Sequence, residues 1–503
     1  MIVLTTFTAK YIHAAFGLRY LQANMDELQA DTTLLEFTIH TRPIDALEEI
    51  LALNPKVLGL GVYIWNIRES LDFVHLIKKV RPDIIVVLGG PEVSHETDGQ
   101  AIVEAADFVI TGNADHEFRE LCRLLLRGET PVSKIIHAAP ADPATLKLPY
   151  DLYNADDIAN RIVYVEASRG CPFKCEFCLS SLDKSVRTFD MEVFLNEMEK
   201  LWDRGLRQFK FVDRTFNLRV DFSTAILNFF LARLDAETFI HFEMVPDRMP
   251  EELRELVRQF PPGSLQFEVG IQTFDVETAA RISRRQNYEK LEDNFHFLAT
   301  ETGVHVHADL IVGLPGESME SFGRGFDRLL AMNPQEIQVG ILKRLRGTPI
   351  IRHDAEYKMV WSDSAPYEIL SNSTIDFATL QVLRRFARYW DLVGNSGNFP
   401  QSLPLMWQEG SAFESFLHFS VWLHDRTQTA HGISLKRLVD LLFEYFVDVK
   451  GLDKDKVALA LLADWRRGRR YNTPDLLKPW TDQIKVVEEV ESTLPQRQQR
   501  HME

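Results

Sequence analysis

The chain holds 503 residues, 45% hydrophobic and 26% charged, an ordinary balance for a globular protein with a large core. Its formal net charge is −17, so a broad basic surface for nucleic acid is disfavoured. No run of eighteen apolar residues offers a membrane-spanning helix, and the opening residues, MIVLTTFTAKYIH, read as a β-strand rather than a signal peptide.

Through residue 136, the β-rich runs IVLTTF, VLGLGVY, IIVVLGG and FVITGN alternate with amphipathic stretches. In ESLDFVHLIKKV, Phe73, Ile77 and Val80 recur at helical spacing. The alternation predicts a parallel sheet covered on both faces, with ligands at its glycine-bearing strand ends. The proline-bearing segment 137–160 predicts a linker. Across 161–352, RIVYVEAS, FKFVD, IHFEMV, LQFEVGIQ, VHADLIVGLP and EIQVGIL predict six more strands in βα order. A partial (β/α)6 barrel follows, with active groups at strand C-termini. Asp190 is placed to cap a helix presenting Phe194, Met198 and Leu201. Residues 353–503 turn mostly helical and aromatic-rich, and the basic run Arg466 to Arg470 reads as a solvated helix end. The predicted fold class is α/β, with a Rossmann-like first domain, a barrel and a helical C-terminal domain.

The chain has four cysteines, and three of them fall in EASRGCPFKCEFCLSS, as Cys171-x3-Cys175-x2-Cys178. Four cysteines so placed do not make a disulfide framework, and a cytoplasmic protein is expected. A structural zinc needs four ligands, and the next histidine is His241. Three thiolates better suit a [4Fe–4S] cluster with one iron left open. Cys122 lies outside the motif and reads as a buried apolar filler.

This triplet, at the end of the first strand of a βα series, resembles the signature of the radical S-adenosylmethionine (SAM) enzymes. The resemblance implies that Cys171, Cys175 and Cys178 hold three irons, that SAM binds the fourth, and that Phe177 lies toward the adenine side. It also maps later segments onto SAM. In FKFVDRTFN, Asp213 stands where the family meets the SAM amino group, although the usual Gly-Gly-Glu is absent. HFEMVPDR offers Glu243 and Arg248. FEVGIQTFD offers Glu268 and Gln272, with Thr273 in place of the usual serine. DLIVGLPGES offers Gly313 and Gly316 beside the adenine.

In the first domain, Gly59-x-Gly61 is followed by Ile64 where a dinucleotide site wants its third glycine, so a nicotinamide site is rejected. The loops instead resemble those of the cobalamin-binding branch of the same enzymes. AKYIHAAFGLRYL contributes Tyr11, and VYIWN with its next turn contributes Tyr63, Trp65, Asn66 and Arg68. LGGPEVS contributes Gly89, Gly90 and Glu92, and GNADHE contributes Gly112 and Asn113. No Asp-x-His-x-x-Gly run exists, so no protein histidine is expected below cobalt, and His13 reads as structural. YEILSNSTIDF and LVGNSGNFP resemble an uncharacterised helical extension found behind some members.

The resemblance implies a cobalamin-dependent methyltransferase acting on an unactivated carbon, or a phosphinate phosphorus, of a small molecule. Flavodoxin- or ferredoxin-type electron donors would serve it. A non-methylating radical enzyme for cyclisation, ring contraction or rearrangement is the nearest alternative, and a non-catalytic cofactor sensor is a further one. No residue is assigned a catalytic role.

Overall fold

The computed structural model describes the chain apart from residues 408, 409, 469, 471, 485–495 and 503. It divides into two compact units. The first comprises Met1–Arg214 with Lys343–Ile351 and Ser362–Glu368; the second comprises Thr215–Leu342, Arg352–Trp361 and Ile369–Glu503. No helix among the described residues is long and apolar enough to cross a membrane.

The first unit opens with β1 (Ile2–Thr8), α1 (Phe16–Ala23), β2 (Thr32–Thr38), α2 (Pro43–Ala52), β3 (Val57–Gly61) and α3 (Ile67–Val80). It continues with β4 (Ile85–Gly89), α4 (Ala101–Ala105), β5 (Phe108–Gly112), α5 (Glu117–Leu126) and β6 (Ile135–Ala138). The strands form one sheet in the order β2-β1-β3-β4-β5-β6, all parallel. Every residue of β1 is buried, because helices cover both faces of this central strand. Phe73 and Ile77 enter the core as their spacing requires, whereas Val80, at the helix end, is 55% exposed. Strands β2 and β6 lay outside the apolar runs. Each is an edge strand with several half-exposed residues, so neither carries a continuous apolar signal.

The chain then enters a short helix, α6 (Ala155–Asn160), within the segment expected as a linker. A buried network of four charges fastens it. Arg19 Nη2 donates to Glu36 (2.9 Å) and Asp157 (3.0 Å). Arg161 Nη1 donates to Glu36 (2.6 Å) and Asp157 (2.9 Å). Arg161 also reaches the carbonyls of Tyr11 (2.9 Å) and His13 (2.7 Å). Beyond it come β7 (Val163–Val165), the two-residue pair β8 (Ser168–Arg169) and β9 (Arg187–Thr188), α7 (Met191–Asp203) and β10 (Gln208–Phe211). Asp190 caps α7 through the Val193 N–H (3.0 Å), and Phe194, Met198 and Leu201 are fully buried. Strand β10 pairs with β7 in parallel.

The second unit contains α8 (Val220–Leu231), β11 (Phe239–Met244), α9 (Glu251–Val257), β12 (Leu265–Gln272), α10 (Val276–Arg281) and α11 (Tyr288–Glu301). Next come β13 (His305–Val312), α12 (Met319–Ala331) and β14 (Glu336–Ile341). Strands β11 to β14 are parallel neighbours in sequence order. All six expected βα strands of this region exist. The later chain adds α13 (Asp354–Tyr357), the small pair β15 (Val360–Trp361) and β16 (Ile369–Ser371), and helices α14 (Phe377–Val393), α15 (Ala412–Thr427), α16 (Leu435–Glu444), α17 (Lys454–Arg467) and α18 (Gln496–Met502). Its core is aromatic, with Phe386, Trp390, Phe413 and Phe416 in mutual edge and tilted contact. Asn395 meets the backbone of β14, accepting from the Ile337 N–H and donating to its carbonyl, each at 2.8 Å. The basic run is more packed than expected: Arg470 lies over the Trp465 ring and donates to Asn398 Oδ1 (2.8 Å), while Arg469 lies outside the described residues.

Asp157 is the carboxylate shared by Arg19 and Arg161, and it is 3% exposed. Asp157→Ala leaves two buried guanidinium groups with one carboxylate between them. It is expected to lower unfolding free energy by roughly 3–5 kcal/mol, the usual consequence of breaking a buried ion pair on one side. Urea denaturation of the full chain checks this.

Candidate functional site

In the first unit the strands end at a common edge, and the turns that follow enclose a cavity of about 270 Å3. Gly61, Gly89 and Gly112, the last residues of β3, β4 and β5, and Tyr63, Gly90 and Asn113 just beyond them form its wall. The cavity also takes in α1, next to the point where the strand order reverses around β1. Open α/β sheets bind ligands at such switch points. Gly90 adopts φ +107°, and a Cβ there would stand 2.5 Å from the Val62 carbonyl oxygen. Gly112 is similar, at φ +79° and 2.6 Å from the Ala138 carbonyl oxygen. Both must be glycine for backbone reasons. Gly89 differs: a Cβ would have nothing nearer than the Ile110 carbonyl oxygen at 3.9 Å, so a side chain here meets open space at the cavity wall.

A second cavity of about 480 Å3 adjoins the first and shares Phe16, Gly17 and Tyr63 with it. The end of β1, His13, Trp65, Tyr164 and Val212 line it. Tyr63 and Trp65 stack at 4.5 Å with an 8° interplanar angle, and Trp65 is 48% exposed, so it is not a core residue. His13 Nδ1 bonds the Tyr164 hydroxyl at 2.7 Å. Burial, with Lys210 and Lys10 nearby, lowers its pKa and favours the neutral ring.

Four residues expected at cobalamin do not line either cavity. Asn66 is wholly buried. Its Nδ2 donates to Thr6 Oγ1 (3.0 Å) and the Phe7 carbonyl (2.9 Å), and its Oδ1 accepts the Tyr63 N–H (2.8 Å). It ties β1 to the turn after β3 rather than facing a ligand. Glu92 is also buried, and its carboxylate is engaged by Arg346 Nε (2.8 Å) and the Tyr367 hydroxyl (2.6 Å). Tyr11 is exposed, donates to Asp156, and lies under the Arg161 guanidinium. Arg68 is exposed at the start of α3.

The cysteine loop follows β8. Cys175 is buried, and Cys171 and Cys178 are half-buried, with Phe177 half-buried between the last two cysteines. Cys171 N–H donates to the Asp183 carbonyl (3.0 Å), and Cys178 N–H to that of Cys175 (3.2 Å). Gly170, at φ +94°, has Ser185 and Asp183 carbonyl oxygens packed where a Cβ would be. Among the described residues no three His, Cys, Asp or Glu side chains are arranged to hold a single metal ion. The loop fits an iron–sulfur cluster through its donor set: three soft thiols within eight residues. Cys122 is fully buried, and burial pushes its thiol up to about 12, as an apolar filler requires.

Asp213 is buried and braces the base of this loop. It accepts the Ala167 N–H (3.0 Å) and the Ser168 hydroxyl (2.5 Å). Burial raises its pKa to about 7 despite these bonds. Its oxygens thus already serve the chain's own backbone and hydroxyl. The residues unforeseen from sequence surround Arg169, two places before Cys171. Its guanidinium donates to Glu166 (2.8 Å) and Asp115 (3.0 Å) and lies 4.3 Å from the Tyr20 ring centroid. Glu166, Arg169 and Asp115 all line the strand-end cavity. Burial alone would lower the Arg169 pKa, but Glu166 and Asp115 hold it charged. The closeness of Glu166 and Arg169 to the cysteines was the only available sequence signal.

Within the second unit, Glu243, Glu268 and Asp309 lie along neighbouring strands, with Glu243 opposite Glu268 and Gly270 opposite Asp309. Burial, then repulsion from Glu268 and Glu243, pushes the Asp309 carboxyl well above its usual range. Glu268 pairs with His241 Nε2 (3.0 Å). Gln272 is buried at φ +75°, where the register between β12 and β13 shifts. Arg248 is exposed. Gly313 and Gly316 adopt φ +91° and +77°, a backbone that favours glycine, and a Cβ would lie 2.7 Å from the Ile369 and 2.6 Å from the Arg281 side chain, respectively.

Comparison with known proteins divides the chain in the same order. Residues 2–122 match the B12 binding domain, residues 165–329 the radical SAM superfamily, and residues 355–502 a protein family of unknown function, DUF4080. The chain is 27% identical over 346 residues to 2-(S-pantetheinyl)-carbapenam-3-carboxylate methyltransferase of Streptantibioticus cattleyicolor, covering 61% of this chain and 50% of that protein. It therefore spans about half the length of the curated relatives it matches. Its fold is similar to that of the radical SAM methyltransferase TsrM from Kitasatospora setae with cobalamin and [4Fe–4S] cluster bound (TM-score 0.60, 15% identity, 72% of this chain and 78% of that one). It is also similar to the cobalamin-dependent SAM radical enzyme OxsB (TM-score 0.62, 14% identity, 96% and 83%). Cobalamin, SAM and a [4Fe–4S] cluster are the cofactors of these two domain types. The chain thus carries a B12 binding domain followed by a radical SAM superfamily domain.

Proposed function

We propose that the protein is a cobalamin-dependent radical SAM methyltransferase acting on an unactivated carbon, or a phosphinate phosphorus, of a small molecule. One observation carries this reading. Within the first unit the strand-end cavity and the cysteine loop are neighbours, since Glu166 and Arg169 line the cavity and lie just before Cys171 in the chain. Two cofactors held by these elements can serve one substrate without a reactive group crossing bulk water. Relatives named as methyltransferases support the choice of methyl transfer.

When bound, the cluster with SAM supplies a 5′-deoxyadenosyl radical and cobalamin a transferable methyl group. The chain supplies position and exclusion of water. Cys171, Cys175 and Cys178 are the thiolate ligands, with Phe177 beside them. Gly61, Gly89, Gly90, Gly112 and Asn113, which line the strand-end cavity, would hold part of cobalamin. Tyr63 and Trp65, stacked on each other in the second cavity, would contact cobalamin. Asp213 keeps the loop root in place through the Ala167 N–H and the Ser168 hydroxyl. In the second unit, Glu243, Glu268 and Gln272 are the candidates for SAM contacts. A cytoplasmic setting and a flavodoxin- or ferredoxin-type electron donor complete the reading. The net charge of −17 weighs against a nucleic-acid substrate.

Anaerobic reconstitution should give about four irons per chain, as a [4Fe–4S] centre requires. Cys171→Ala, Cys175→Ala and Cys178→Ala should each abolish the centre, and a variant that keeps a normal cluster refutes the ligand assignment. Gly89→Leu has no positive φ to strain and should fill the cavity. Cobalamin affinity is expected to fall about tenfold or more, equivalent to about 1.4 kcal/mol, with the thermal midpoint nearly unchanged. Equilibrium titration with a parallel melt reads both quantities.

With reductant, cobalamin, SAM and the true substrate, both 5′-deoxyadenosine and S-adenosylhomocysteine should appear, and a deuterated SAM methyl should enter the product. A product formed with deoxyadenosine but without label or S-adenosylhomocysteine would reject methyl transfer in favour of rearrangement.

A further inference from the structure

After β14 the chain returns to the first unit as residues 343–351 and 362–368. This return segment holds two loops at once. At one end, Arg346 Nε donates to Glu92 Oε1 (2.8 Å), Arg344 Nη2 to Glu96 Oε2 (3.1 Å), and the Gly347 N–H to Glu96 Oε1 (3.0 Å). Tyr367 closes the group: its hydroxyl donates to Glu92 Oε1 (2.6 Å) and accepts from Arg346 Nη2 (3.0 Å). At the other end the Ile350 N–H donates to the Glu176 carbonyl (3.0 Å). Glu176 follows Cys175 directly in the cysteine loop. These anchors are interior ones, with Glu92 4%, Glu176 2% and Ile350 0% exposed. Gly347 adopts φ +80°, and a Cβ there would stand 2.5 Å from the His95 ring, so the backbone lies directly on the turn after β4.

Glu92 and Glu96 belong to the turn that begins with Gly89 and Gly90, which line the strand-end cavity. Four residue steps lead from Arg346 to Ile350. Fully extended they reach at most about 14 Å. The bond from the Thr348 N–H to the Leu345 carbonyl (3.2 Å) shortens the reach further. The separation between the cavity wall and the cysteine loop is thereby limited by a short strap fixed at both ends.

We propose that Arg346 is a positioning residue, and that the strap 344–351 couples cobalamin binding at the strand-end cavity to the state of the cysteine loop. The proposal rests on the cofactor assignment above. Without the Arg346 guanidinium, the buried Glu92 carboxylate keeps Tyr367 as its side-chain donor. The turn after β4 then relaxes to find water, and the strap no longer transmits its position to Glu176. Coupling of this kind is reciprocal: whatever the cluster does to cobalamin affinity, cobalamin does to the cluster.

The test is anaerobic titration of the full chain with cobalamin, with the cluster reconstituted and without it. In the wild type the two affinities should differ by about fivefold or more, the lower range of ordinary coupling. In Arg346→Met the ratio should fall to about one, and Arg346→Lys should recover part of it. A wild-type ratio in a natively melting Arg346→Met protein overturns the proposal, as does a wild-type ratio of one. Hydrogen exchange on the cofactor-free chain gives an independent reading. Arg346→Met should speed exchange in residues 90–96, at the Ile350 amide of the strap and in residues 171–178; acceleration confined to 90–96 overturns the strap. Should Arg346→Met fail to fold, Tyr367→Phe, which removes one donor to Glu92, should give an intermediate ratio, and an unchanged ratio counts against the strap. A chain that takes up neither cofactor overturns the cofactor assignment and the strap together. A chain that takes up both but shows no coupling overturns the strap alone.

Discussion

The arrangement of the first unit depends on a buried balance of charge: Arg19 and Arg161 facing Glu36 and Asp157. Glu36 belongs to β2, Arg19 to α1, and Asp157 and Arg161 flank the entrance to β7. Arg161 also grips the carbonyls of Tyr11 and His13, and His13 bridges to Ile162. The strand that leads to the cysteines is therefore registered against the first sheet by the same two arginines that hold the turn after β1. Such a network contributes less to net stability than its short distances suggest, because four charged groups lose their water. What it contributes here is placement.

A second balance of charge carries that placement to the chemistry. Arg169 sits between Glu166 and Asp115 and against the Tyr20 ring. One side of this group belongs to the strand-end cavity and the other to the root of the cysteine loop. Asp213, held largely by burial near a pKa of 7, adds a hydrogen-bonded brace at Ala167 and Ser168. The loop holding the thiols is short of secondary structure, so its position comes from these side-chain bonds rather than from a helix or sheet.

Much of the fold could be read from the sequence because its strands are apolar and its helices amphipathic. Phe194, Met198 and Leu201 obey the helical period, and the four central strands of the first sheet are continuous apolar runs. Strands β2 and β6 escaped because an edge strand needs no such run. In the site, Gly90 and Gly112 were legible: a glycine at a strand end reports a backbone demand. For Asn66 and Glu92 the sequence left open which partner a polar loop residue takes, a ligand or the protein. Asn66 found Thr6 and Phe7, and Glu92 found Arg346 and Tyr367. The second pairing spans 254 residues, a distance over which no local pattern carries information.

That separation also sets an order of events on the ribosome. Glu92 emerges 254 residues ahead of Arg346. At about 5–20 residues per second, on the order of 10–50 s pass before its counter-ion exists. Through this interval the nascent first sheet carries an unneutralised carboxylate at a place the finished protein keeps dry. The N-terminal sheet is translated first yet sealed late, after the strands of the second unit have left the exit tunnel. Its final closure is a long-range event, slow for the reason that loop entropy must be overcome before the contact forms.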